Sequence, residues 1–371
     1  MSEWKTTELG NVITLKRGYD LPQQKRKSGL IPIFSSSGVS GSHNTAMVKA
    51  PGVITGRYGT IGQVFYADTD FWPLNTTLYV EDFHGNDPQF VYYFLKTMEW
   101  EKFTSASAVP GINRNTVHKE MVTIPDIVTQ RAIAEYLALI DRKIVVNHEI
   151  NDNLQQQAYT YFLQLFVENA DPSWRIGTIA DLGTVVGGGT PSKAKPEYYT
   201  EDGIAWITPK DLSVDKSKFI AHGETDISEL GYRNSSATIM PVGTVLFSSR
   251  APIGYIAIAS NEVTTNQGFK SVVPHSQIGT PYVYYFLLHN LPLIESKASG
   301  STFKEVSGSV MKSVEAVIPD SDTIAKFNDF CRPVFTMQGK LEQENRKLAA
   351  MRDSLLPRLM SGEIDVADID I

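Results

Sequence analysis

The sequence predicts an α+β chain that uses one plan twice: a β-rich globule followed by a long helix, then a second such globule and a second long helix. Three observations lead there. An internal repeat links the two halves, two stretches keep a sustained heptad spacing, and the segments between them show short strand patterns separated by Gly, Pro, Ser and Asn clusters.

The repeat is direct. Val91-Tyr92-Tyr93-Phe94-Leu95 recurs 192 residues later as Val283-Tyr284-Tyr285-Phe286-Leu287, and Ile61-Gly62 recurs at the same shift as Ile253-Gly254. Ile124-Pro125-Asp126 returns as Ile318-Pro319-Asp320, and each half opens with a Trp (Trp4, Trp174) ahead of a Leu-Gly pair. A period this long is duplication of a whole domain, since solenoid repeats run to only about 20–50 residues.

In chain order, Val12–Leu15, Gly52–Thr55 and Leu78–Val80 read as strands of the first globule, and Pro88–Met98 as a short helix with Pro in its first turn. Ile133, Leu137, Ile140 and Ile144 then start an a/d seam that continues through Asn147, Asn151, Leu154, Ala158, Tyr161 and Leu165. A helix of about 40 residues is roughly 60 Å long, and its apolar edge requires a partner. Thr184–Val186, Thr244–Phe247 and Tyr255–Ile258 read as strands of the second globule, and Pro281–Asn290 as its short helix. Phe327, Cys331, Val334, Leu341, Asn345, Leu348, Leu355 and Leu359 mark the partner seam. Asn151 and Asn345 occupy equivalent places and are expected to touch, fixing register at some cost in stability. Pro333 and Pro357 are expected to bend or interrupt this helix. The acidic tail after Ser361 is expected to be loosely held. The expected boundaries are 1–126, 127–170, 171–319 and 320–371, with a linker near Glu168–Ser173.

Charge and composition narrow the function. The net charge of −7 divides as +1 over residues 1–125, −3 over 126–170, −2 over 171–319 and −3 over 320–371. Near-neutral globules and acidic helices exclude a general polyanion binder, so any DNA contact is through local patches or beside a basic partner. The single cysteine, Cys331, excludes an internal disulfide and a cysteine-rich zinc site, fits a reducing, cytoplasmic setting, and belongs to the seam. No apolar run is long enough to cross a bilayer, and MSEWKTTELG is not a secretory signal.

Catalytic patterns are missing. None of His43, His84, His118, His148, His222, His275 and His289 falls in a ligand spacing, and there is no GxSxG elbow. Gly187-Gly188-Gly189-Thr190-Pro191-Ser192-Lys193 lacks Walker spacing but offers backbone amides and Lys193 to a phosphodiester. Asp171-Pro172-Ser173-Trp174 mimics the loop with which adenine methyltransferases hold their target amine, yet lies in the linker without a glycine-rich cofactor motif. Asp141-Arg142-Lys143 mimics a metal nuclease pattern, yet falls on the polar face of the seam helix, where charges are solvated.

What remains is a set of loops rich in groups that recognise nucleic acid. In the first globule they hold Lys16, Arg17 and Tyr19; Lys25 and Arg26; Ser36; Arg57, Tyr58 and Thr60; Asn75 and Thr76; and Asn113 with Arg114. In the second they hold Gly189, Thr190, Ser192 and Lys193; Lys210; Ser249 and Arg250; Asn266 and Gln267; and Thr302 with Lys304. Arg pairs with guanine, Asn and Gln with adenine, and Ser, Thr, Lys and backbone amides with phosphates. Singly, each loop is also ordinary turn chemistry.

Over nearly its whole length the chain resembles the specificity subunit of type I restriction–modification systems. The resemblance is carried by Gly188-Gly189-Thr190-Pro191-Ser192, Ser248-Ser249-Arg250-Ala251-Pro252-Ile253-Gly254, Thr265-Asn266-Gln267-Gly268-Phe269 and Leu355–Glu363. In the first half, Gln130-Arg131-Ala132-Ile133-Ala134 leading to Leu139-Ile140-Asp141 looks like the start of the family's central conserved helix. The first globule departs from the pattern, with Arg57-Tyr58-Gly59-Thr60 before its Ile-Gly pair.

The resemblance implies two target-recognition domains, each reading half of a split, asymmetric DNA site, with the long helices packed antiparallel as a coiled-coil spacer. It implies no catalysis and no cofactor in this chain. The implied partners are double-stranded DNA and two adenine-N6 methyltransferase subunits using S-adenosylmethionine, which restriction/translocase subunits using ATP and Mg can join. The alternatives are a protein scaffold without sequence-specific DNA binding, or a stand-alone DNA methyltransferase or nuclease.

Overall fold

The structure, a computed structural model, describes residues 4–104, 110–300 and 304–369. It divides into two compact units, Met1–Val145 with Arg346–Ile371, and Val146–Asn345. Both unit boundaries fall inside the long helices, Ile127–Leu163 and Ser321–Met360.

In the first unit a four-stranded sheet has the order Thr14–Arg17, Thr77–Asp82, Gly52–Gly56, Val64–Ala67. Alternation along the strands sends side chains to two cores. Val53, Leu78 and Val80 face one, while Ile54 and Tyr79 face the other with Phe34 and Phe71. The helix Pro88–Lys96 covers the first face with Phe90, Val91, Tyr93, Phe94 and Leu95, and is capped by Asp87. Ile133, Ala134 and Leu137 of the central helix and Leu356, Leu359 and Met360 of the C-terminal helix complete that core.

The second unit repeats the plan. Its sheet runs Gly183–Gly187, Lys270–Pro274, Val245–Ser249, Ile253–Ala259, Phe219–Ile220, the same order with one strand added. Val245, Phe247 and Val272 face the core built with Thr280–His289, while Leu246 and Ala257 face a second. Ala158, Phe162 and Phe166 join Ile324, Phe327 and Cys331 in the larger core. The Val-Tyr-Tyr-Phe-Leu repeat is thus the helix that seals each sheet against the long helices.

The other repeats have physical meanings too. In each unit an antiparallel ribbon, Trp4–Glu8 with Met121–Pro125 and Arg175–Thr178 with Glu315–Ile318, leads into a long helix. The Asp of each Ile-Pro-Asp caps that helix: Asp126 accepts from the amides of Val128 and Thr129 at 2.9 and 3.1 Å, and Asp320 from Thr323 at 2.8 Å. Gly62 and Gly254 both take positive φ, +81° and +96°, which a side chain disfavours.

The seam holds through most of its length. Ile133, Leu137, Ile140, Asn147, Asn151 and Ala158 are buried, Ile144 and Leu154 half-buried. Near its end, burial passes from Tyr161 and Leu165 to Phe162 and Phe166, as a 3.6-residue helix drifts off a 3.5-residue repeat. On the partner helix Leu341, Asn345 and Leu359 are buried, and Val334, Leu348 and Leu355 half-buried. Within the second unit the helices run antiparallel, Asn147 meeting Asn345 while Gln338 meets Asn151.

Four expectations are corrected. The asparagine contact is made by Asn147, one turn from Asn151; Asn151 uses its backbone carbonyl to accept from Gln338 at 3.1 Å. Neither Pro333 nor Pro357 interrupts the C-terminal helix, which is continuous over Ser321–Met360. Each proline deprives the carbonyl four residues earlier, on Asp329 and Asp353, and both of those residues are exposed to water. The tail is held, with Ile364, Val366 and Ile369 packed on the first unit's core. Asp141 is not merely solvated: it accepts from the Tyr93 hydroxyl at 2.6 Å and pairs with Arg352 at 2.7 Å.

Candidate nucleic-acid interface

In each globule some of the expected loops converge on a cleft. In the first it measures about 480 Å³ and is lined by Arg17, Arg57, Tyr58, Asn113 and Arg114, with Leu78, Gly111, Ile112 and Asn115. The strand Gly52–Gly56 delivers Arg57, whose amide donates to the Thr76 carbonyl at 2.8 Å and whose carbonyl accepts from Ile112 at 3.1 Å. The Arg57 guanidinium lies 4.6 Å from the centre of the Tyr58 ring. Asn113 caps the short helix Arg114–Val117 through the Asn115 amide, which aims Arg114 into the cleft.

The remaining first-globule candidates lie outside that lining. Lys16 bonds Glu81 at 2.5 Å, which raises its pKa, and Asn75 bonds Asp20, which also faces Arg17 at 3.4 Å. Tyr19 is half-buried with its hydroxyl on that of Tyr79, and the half-buried Arg26 donates to the Ser40 carbonyl at 3.1 Å. The Thr76 hydroxyl is buried. Lys25 is exposed, and Ser36 and Thr60 are half-buried.

The second cleft measures about 530 Å³. Of the candidates named from the sequence, Thr190, Lys193, Lys210, Arg250, Asn266 and Gln267 line it. Thr208 of the Lys210 loop lines it too, and Trp206, Asp211, Glu224 and Thr225 line it without having been foreseen. A signal existed for Asp211: Thr208-Pro209-Lys210-Asp211 has capping-box spacing, and Asp211 accepts from both the amide and hydroxyl of Thr208 at 2.7 Å. Glu224 bonds Lys210 at 2.5 Å, raising the lysine's pKa.

Two second-globule candidates are corrected. Ser249 is fully buried, its amide and hydroxyl both donating to the Gly268 carbonyl, so it shapes the loop from beneath. Gly189 is buried and its amide donates to the Thr265 carbonyl at 2.8 Å, while Gly188 donates to Phe269. Those amides are not open to a phosphate. The glycines are there for close approach: a Cβ on Gly188 would lie 1.9 Å from the Asn266 carbonyl oxygen. Ser192 and Lys304 are exposed away from the cleft lining, and Thr302 lies outside the described residues.

The clefts are equivalent in their backbones. Ile112 donates to the Arg57 carbonyl where Val306 donates to that of Ser249, and Tyr58 bridges Gly111 where Arg250 bridges Glu305. Arg250 therefore stands in the place of Tyr58, one residue from that of Arg57. Among the described residues no group of three or more His, Cys, Asp or Glu is placed to hold a metal, and the Asp171 loop is closed on the Ser173 amide at 2.8 Å.

Comparison with known proteins places this architecture. Residues 1–156 and 172–332 match the sequence family described as type I restriction modification DNA specificity domain. The MjaIX type I restriction enzyme specificity subunit of Methanocaldococcus jannaschii is 40% identical over 165 residues, a match spanning 44% of this chain and 38% of that protein. The HindI type I restriction enzyme specificity subunit of Haemophilus influenzae is 23% identical across 82% of this chain and 84% of that one. The crystal structure of a type I restriction–modification S subunit from M. genitalium shares the fold, with a TM-score of 0.66 and 18% identity over 96% of each chain. Matched in both halves by one family, this chain of duplicated globules and paired helices belongs to the type I restriction modification DNA specificity domains.

Proposed function

We propose that this chain is the DNA-recognition subunit of a cytoplasmic type I restriction–modification complex, reading a bipartite, asymmetric site with one half-site per globule. The observation that carries the reading is the pair of equivalent clefts, each presenting an arginine at or next to the same backbone bridge beside polar side chains. Arginine's fork suits guanine N7 and O6 in the major groove, and Asn266 and Gln267 bring amides to the same cleft. Unlike residues at equivalent places, Tyr58 and Arg250, suit half-sites of different sequence. In this reading the domain boundaries are those expected from the sequence, and the helix pair sets the gap.

The chain has no catalysis of its own here. It scaffolds two adenine-N6 methyltransferase subunits that use S-adenosylmethionine, and restriction subunits using ATP and Mg can join them. No helix among the described residues is long and apolar enough to cross a membrane.

The test is selection from randomised duplex DNA by the chain in its assembled complex at fixed salt. Two unlike half-sites with a constant gap support the reading. One continuous motif, or no enrichment by an intact complex, overturns it, the latter in favour of a protein scaffold.

A further inference from the structure

The second cleft has an acid beside Arg250, Glu305, at the place that Gly111 occupies in the first. Glu305 is fixed on two sides: it exchanges backbone hydrogen bonds with Ser299 at 3.1 and 2.9 Å, and bridges Arg250. Its carboxylate then divides between two cations, Oε2 lying 3.6 Å from Arg250 Nη1 and Oε1 3.3 Å from Lys270 Nζ. Lys270 is the more buried, its side chain 15% exposed. Glu305 does not line the cleft; Arg250 does.

A carboxylate next to a DNA-facing arginine repels phosphates and weakens any sequence-independent attraction. As a stabilising device it is weak, since half-exposed ion pairs contribute little. What it does well is restrict a long, flexible side chain. With Nη1 facing Glu305, the Nη2 and Nε edge of Arg250 is left as a fork with two parallel donors, the pattern complementary to guanine N7 and O6. The equivalent bridge of the first globule has a glycine there: a Cβ on Gly111 would stand 2.1 Å from the Tyr58 ring, so that place holds an aromatic face against bare backbone.

We propose that Glu305 is a specificity-determining positioning residue: it acts through Arg250, holding the guanidinium in one pose and penalising non-cognate DNA at the second half-site. The inference rests on the DNA-reading assignment above.

The experiment compares the full chain in its assembled complex with Glu305→Gln, Arg250→Ala and the double variant, on duplexes carrying single base-pair changes. Glu305→Gln is isosteric, and thermal melting of the complex verifies folding. The expected result is a loss of about tenfold in discrimination at one base pair of one half-site, tighter binding to unrelated duplex, and an unchanged other half-site. In the Arg250→Ala background the same substitution alters discrimination no further. Unchanged discrimination at every position overturns the proposal, as does an equal loss with or without Arg250, while the wild-type chain still selects its site. A wild-type chain that selects no site overturns the DNA-reading assignment itself.

Discussion

Asn147 Nδ2 donates to Asn345 Oδ1 at 2.8 Å, between the two long helices, with both residues buried. The same amide also donates to Glu344 at 2.8 Å. A buried amide pair contributes little net stability but is costly to break from one side. Asn345→Leu should therefore destabilise by about 1–3 kcal/mol. The Asn147→Leu, Asn345→Leu double variant should recover most of that loss, and relax helix register. Urea midpoints of the three variants decide it: a double variant no more stable than the worse single one contradicts a register role.

Asp141 joins the short helix of the first globule to the C-terminal helix through Tyr93 and Arg352. The ion pair is mostly covered, with side-chain exposures of 28% and 22%. Asp141→Ala should cost about 1–3 kcal/mol of stability, and Asp141→Asn less, since an amide oxygen still accepts from Tyr93. Denaturant unfolding measures both. A DNA-cleavage activity lost with stability intact would instead revive the nuclease pattern at Asp141-Arg142-Lys143.

Lys218 is buried, its ammonium 2.7 Å from Gln338 Oε1 and 4.4 Å from the centre of the Phe335 ring. Burial pulls its pKa from 10.5 down to about 7. Between those two values the unfolded chain holds the proton more fully than the folded one, so stability rises with pH. Below about pH 7 both states are protonated and the burial penalty is complete. From pH 7 toward 9 the wild-type protein should gain up to about 1.4 kcal/mol per pH unit from this group. The difference curve against Lys218→Met isolates that contribution, and parallel pH profiles would refute it.

Arg57→Ala and Arg250→Ala should each weaken one half-site alone, by about 1–3 kcal/mol where a bidentate base contact is lost. Competition binding on duplexes with one half-site scrambled separates the two. If either substitution lowers affinity uniformly across all sequences and flattens the salt dependence, that arginine holds phosphate.

A matching heptad inserted in both long helices adds about 10 Å. If the helices set the gap, the complex should accept a site longer by about three base pairs at 3.4 Å each. Selection from a library of variable gaps measures this, and an unaltered gap removes the spacer role.

The architecture was largely legible because duplication and heptad spacing are patterns of apolar residues, and apolar burial dominates folding. The Val-Tyr-Tyr-Phe-Leu and Ile-Pro-Asp repeats already contained the sealing helix and the helix cap. The asparagine partner was not legible, since 147 and 151 are both seam positions and only the three-dimensional register separates them. Gln338, buried on the seam, was passed over because a lone glutamine looks like surface. Cleft residues were legible where they were cations or hydrogen-bonding groups in loops. Glu224 and Glu305 were missed because an acid near DNA has no attractive pairing with phosphate, and its effect on a neighbouring lysine or arginine depends on contacts far apart in sequence.

The first unit's core is assembled from both ends of the sequence, with Leu356, Leu359 and Met360 sealing residues that begin at Leu9. The second unit is one contiguous segment, Val146–Asn345. On the ribosome the half synthesised first is therefore the half completed last. Its sheet and short helix emerge early but wait, apolar face open, until the final turns of the C-terminal helix arrive. The second unit can fold in that interval, so the order of translation reverses the order in which the two units are finished.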